Sequence, residues 1–143
     1  MEKKYPAKTS YGLLSFIFFI FFAPLTPKLI SSDLNIDNLW LIVFLLLIYA
    51  LILHMFLKTS YVIEHNELKI KCGLISFNPI KISDIKEISK TRNIISSPAP
   101  SFDRIEIKYG KFDEIILSPK NKLDFSNDLK KINPNIRNNI TQD

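Results

Sequence analysis

The side chains in this sequence that could do chemistry are few and scattered: His54, His65, Cys72, the pair Ser96-Ser97, and the neighbours Asp103-Arg104. A nucleophilic serine needs a strained turn and a partnering base. Ser96-Ser97-Pro98 stands in no G-x-S-x-G pattern, and hydroxyls beside proline commonly bond local backbone in loops. One cysteine and two histidines far apart supply neither a disulfide nor a metal-ligand spacing. There is no H-E-x-x-H, and three glycines form no phosphate loop. These absences point away from an enzyme, a metal and a cofactor, and toward recognition.

Residues 93–104, NIISSPAPSFDR, are the stretch best suited to recognition. The stretch is long for a strand connection and is stiffened by Pro98 and Pro100, and loops on rigid scaffolds often carry binding function. Asn93, Ser96, Ser97, Ser101 and Arg104 are the candidate partner-contacting residues. The alternative is a loop locked onto its own sheet by Ser97, Ser101 and Asp103. Arg104 either holds the loop or faces an anionic partner. A second recognition route is an anionic lipid headgroup. Glu64-His65-Asn66-Glu67 opposes it with two carboxylates, although Lys69 and Lys71 could still touch anionic lipid.

The element that positions all of this is residues 39–57, LWLIVFLLLIYALILHMFL. Nineteen residues without a formal charge, fourteen of them Leu, Ile, Val or Phe, predict a membrane-spanning helix. The only strongly polar side chain, His54, lies near the end, beside Lys58. Residues 11–30 predict a first span that Pro24 and Pro27 distort or end, with a re-entrant or interfacial segment as the alternative. Signal-peptide cleavage after Ala23 would need a small residue where Phe21 stands and would have to tolerate Pro24 just beyond the cut. Three Lys precede the first span, Lys28 alone lies between the two, and Lys58, Lys69 and Lys71 follow the second. The positive-inside rule then places both termini in the cytoplasm of a multi-pass protein at the cell membrane.

Residues 1–57 thus form a membrane anchor, 58–136 one small domain, and 137–143 a polar tail. Residues 58–143 carry fifteen Lys/Arg against eleven Asp/Glu, interspersed, which is a solvated basic surface and not a nucleic-acid patch. Strands are predicted at 61–64, 68–72, 80–82, 85–92, 104–109 and 114–117, with the first two paired as a hairpin. A closing helix follows, capped by Asn121, with Phe125, Leu129 and Ile132 on one face and Asn133-Pro134 as its stop. The fold class is α+β: a transmembrane helical hairpin, then an antiparallel β sandwich or open barrel closed by a C-terminal helix.

The loop at 93–104, the following IEIKY, then LSP, the Phe125/Leu129 helix and NPNI at 133–136 resemble the bacterial pleckstrin-homology-like (PH-like) domain of the YyaB-like family. The likeness covers about 59–136, and the shared loop pattern is S-S-P-A-x-S-x-D-R-x-x-I. At the loop tip Pro100 stands where the family resemblance implies a larger apolar residue. The resemblance implies a membrane-tethered PH-like domain with no established enzymatic role. The expected partners are the lipid bilayer and another membrane or membrane-associated protein, with no nucleic acid. A narrower alternative is immunity against a membrane-active toxin.

Overall fold

A computed structural model describes residues 2–31, 35–93 and 99–140. The chain opens with a strand, β1 (Lys3–Pro6), before the apolar segments begin. Helix α1 (Tyr11–Phe22) follows, capped by Ser10, whose hydroxyl accepts from the Leu13 N–H at 3.4 Å. Pro24 turns the chain through a 3-10 segment, Ala23–Leu25, into the short α2 (Thr26–Ile30). Helix α3 (Ile36–Leu57) then returns over 22 residues, about 33 Å at 1.5 Å per residue. None of its described residues is buried, and Leu14 alone is buried in α1. The two helices touch through Tyr49, which stacks edge-on against Phe18 and Phe22 and donates from its hydroxyl to the Leu14 carbonyl at 3.3 Å.

Strands β2 (Ser60–Glu64) and β3 (Glu67–Cys72) form the expected hairpin. Its two-residue turn holds His65 and Asn66 at φ 46° and 63°, a left-handed pair that twists with the strands. β4 (Ile75–Ser76) and β5 (Ile80–Lys81) each pair with β3, and β1 pairs antiparallel with β2, completing one sheet. Ile82 belongs to a 3-10 turn, not to the predicted third strand. The second sheet is ordered β8 (Asp113–Leu117), β7 (Arg104–Tyr109), β6 (Ile85–Thr91), β9 (Arg137–Asn138).

Helix α4 (Lys122–Ile132) is capped by Asn121 as the sequence predicts. It drives Phe125 and Leu129, both fully buried, between the sheets among Tyr61, Leu68, Ile70, Ile88, Ile105 and Ile107. Phe125 meets the Tyr5 ring edge-on at 5.2 Å. The predicted stripe is shorter than expected, because Ile132, the last helical residue, is 40% exposed.

Two expectations at the chain ends are corrected. Residues 1–57 are expected to form the membrane anchor, yet Lys3–Pro6 is a strand of the domain that follows the helices. Residues 137–143 are expected to be a polar tail outside the domain, yet β9 runs parallel to β6, so the second sheet is mixed and not purely antiparallel. Ile136 and Ile140 are buried there, while Asn138 and Asn139 bond Ser126 and Glu87. In both places a few apolar side chains anchor a polar segment whose amides are taken up by a distant partner.

Candidate functional site

The domain has two ends. The turn between β2 and β3, the Ile82–Asp84 turn and the β7–β8 turn gather at the far one, since Ile82 N–H donates to Asn66 O and Gly110 N–H to Asp84 O. The near end meets the apolar helices. There Ala7 N–H donates to Thr59 O at 3.1 Å, Lys8 N–H to Ser118 O at 2.7 Å, and Ser10 N–H to Pro100 O at 3.0 Å. Thr9 Oγ1 donates to Phe56 O at 3.3 Å and Thr59 Oγ1 to Met55 O at 2.6 Å. The start of α1 and the end of α3 are thereby latched to one edge of the domain. Gly73 makes a third latch. Its φ is +58°, and a Cβ there would stand 2.9 Å from Met55 Cα, so both conformation and space call for glycine.

The candidate loop lies at this junction. Ser96 and Ser97 fall outside the described residues. Ser101 is 4% exposed, and its hydroxyl accepts from the Asp103 N–H at 3.2 Å. Arg104 is 7% exposed; Nε donates to Ser101 O, and Nη1 donates to Asn93 O at 3.2 Å. Burial pulls its guanidinium below the ordinary value. Arg104 therefore ties the two ends of the loop together and does not project from the surface. Asn93 is exposed, and so is Phe102.

Asp103 is not the ion-pair partner of its neighbour. It bonds Lys8 Nζ at 2.8 Å and Lys122 Nζ, joining the N-terminal arm, the loop and the start of α4. Burial pushes its carboxyl up, but the two lysines outweigh this and hold it below the usual range. Sequence reasoning missed Lys8 and Lys122 because each lies far from Asp103 along the chain. A second knot, also missed, ties β1 to α4: Lys3 Nζ and Tyr5 Oη donate to Asp128 Oδ2, and Lys131 reaches Oδ1 at 3.1 Å. These bonds hold the Asp128 carboxyl down to about 2.

At the far end, Glu64 pairs with Lys69 at 2.8 Å and lies below its ordinary pKa mainly through that bond. Lys69 is thus engaged in an intramolecular pair; Lys71, near the helices, is exposed. An open cleft of about 540 Å³ is lined there by four cations, Lys86, Lys108, Lys111 and Arg137, and three acids, Glu87, Asp113 and Glu114, with the 88% exposed Phe112. Its mixed charges favour neither a simple anion nor a cation. Among the described residues no group of three or more His, Cys, Asp or Glu could hold a metal.

Two sheets that share one core with helix α4 are consistent with a PH-like α+β fold, the class of an interaction module. Residues 59–133 match the family model described as "Bacterial PH domain", slightly more than half of the chain, and the chain belongs to that family. PH domains are generally non-catalytic modules that bind lipids or proteins. Neither a curated protein nor a solved structure matches the chain.

Proposed function

We propose that the protein is an interaction module of the bacterial PH class, tethered to the cell membrane by α1 to α3, with its domain and both termini on the cytoplasmic face. The observation that carries this reading is the pairing of β1 with β2 on either side of the helices, Lys3↔Ile63 through Pro6↔Ser60. A strand before the first apolar helix and a strand after the last belong to one sheet, so the chain returns to the face it left. That requires an even number of crossings. The two helices long and apolar enough to cross supply two. The lysine count then favours the cytoplasm for the shared face.

Tethering raises the local concentration of the domain toward other membrane proteins, so a modest affinity suffices. The YyaB-like assignment is part of this proposal and rests on the loop pattern at 96–107. Partner contact is best supported on exposed positions, Asn93 and Phe102 at the junction and Phe112 at the far end. Photo-reactive residues at 97 and at 112, crosslinked in membranes, test it. A discrete protein adduct from either position is the expected result, and lipid adducts or none from both would contradict it.

A further inference from the structure

An apolar cleft of about 310 Å³ lies at the junction, lined by Leu13 of α1, Ile52 and Phe56 of α3, Cys72, Pro100 and Arg104. Its volume is at the lower end of ligand pockets. Two features set it apart from a packing defect. The first is the cation in its wall. Arg104 is more than nine-tenths buried, its bonds go to two backbone carbonyls, and among the described residues no carboxylate pairs with it. A buried charge without a counter-charge is costly, and an anion in the cleft would supply one.

The second feature is depth. Ile52 precedes the last residue of α3 by five positions, about 7.5 Å along the axis. The headgroup layer of a bilayer is roughly 5 to 8 Å thick on each side. With α3 across a membrane, the reading on which this inference rests, the cleft sits where headgroups meet acyl chains. The exposed residues nearby fit that level: Leu74 and Ile75 beside Gly73, Phe102 in the loop, and Lys58 and Lys71 alongside.

We propose that the cleft holds one anionic glycerophospholipid, its phosphate opposite Arg104 and an acyl chain against Leu13, Ile52 and Phe56. The lipid fills the gap between the helices and the loop and completes the electrostatics that the protein leaves open. This site is at the opposite end of the first hairpin from its turn, where Glu64 and Glu67 oppose an anion.

The test is retention of lipid by the full chain in detergent, read by native mass spectrometry with phosphatidylglycerol, with phosphatidylcholine of the same chains, and with inorganic phosphate. One phosphatidylglycerol per chain is expected, favoured about fivefold over phosphatidylcholine, the worth of one cation near an anionic surface. Leu13→Trp fills the cleft from the helix side without touching the domain core and should abolish retention of both lipids. Arg104→Gln should remove the preference between them; because Arg104 also ties the loop, Leu13→Trp decides if that variant does not fold. Equal retention of the two lipids by the wild-type chain, retention of phosphatidylglycerol by Leu13→Trp, or equal binding of inorganic phosphate would overturn the site. Carbonate extraction of membranes separates the two readings. A chain that stays in the pellet without lipid preference loses the site alone, whereas a chain released by carbonate loses the anchor and the site with it.

Discussion

The helices and the domain use apolar residues in opposite ways. In α4 two large side chains, Phe125 and Leu129, are fully buried, and apart from Leu123 and Ile132 the rest of the helix is polar or charged. In α3 nearly every residue is apolar and none is buried. A chain can satisfy apolar surface by folding it inward or by leaving it for an apolar surrounding, and the difference shows which solvent each region is built for. The domain is closed by its own packing; in the function proposed above, α3 is covered by lipid. The junction between them is neither. It is held by hydrogen bonds from Ala7, Thr9, Ser10 and Thr59, and by the close approach of Gly73 to Met55.

The contrast is broken most severely from the domain side. Phe125→Ala removes the anchor shared by both sheets, the N-terminal strand and α4, and should cost about 3 to 5 kcal/mol, most of a small domain's stability. Thermal melting of the full chain in detergent, followed by near-UV circular dichroism, reads the loss. Retention in the membrane should be unchanged. From the helix side, Leu47→Asp, at a position 66% exposed in mid-α3, should disfavour insertion by about 3 kcal/mol. Here the expectation reverses: a smaller membrane fraction by carbonate extraction, with the melting of the domain unaltered. If either variant moved both readouts together, the two regions would not be separable.

A smaller effect sharpens the comparison at β1, which belongs to the domain although the helices separate it in sequence. The Asp128 carboxyl is depressed from its ordinary 3.8 to about 2 by Lys3 and Tyr5, so its contribution is complete above about pH 4 and is lost as pH falls toward 2. Asp103, also held low, adds in the same direction. Asp128→Asn should cost about 1 to 2 kcal/mol at neutral pH, a range that allows for the half-exposed Lys3, and should flatten the melting temperature between pH 4 and 2. Urea titrations at pH 7, 4 and 2.5 check the sign.

Much of this fold could be read before any coordinates. Strict alternation marked Arg104–Tyr109, and the polar turn between two β-rich runs marked the first hairpin. A capping asparagine and a short apolar stripe marked α4. Charge-free runs marked the helices. What escaped were the pieces whose partners are remote in sequence. β1 is KKYP, four residues with two lysines and a proline, and only the pairing with Ser60–Glu64 makes it a strand. β9 is two residues long and parallel, with no alternation to detect.

The site was legible as a place and not as a mechanism. The loop at 93–104 stood out by length and proline content, but nothing local says that Arg104 turns inward to the Ser101 and Asn93 carbonyls. Nor could sequence spacing pair Asp103 with Lys8 and Lys122. A charged residue at the start of a strand reads as solvated unless the fold that covers it is known.

The most direct test of the account is which side of the membrane each segment occupies. Single cysteines placed at Glu2, Ser31 and Phe112 in a Cys72→Ser background, probed in intact cells with a membrane-impermeant maleimide, address the strand before the helices, the turn between them and the far end of the domain. The account predicts labelling of position 31 from outside, and labelling of positions 2 and 112 only after permeabilisation. Positions 2 and 112 on opposite sides, or all three on one side, would contradict it.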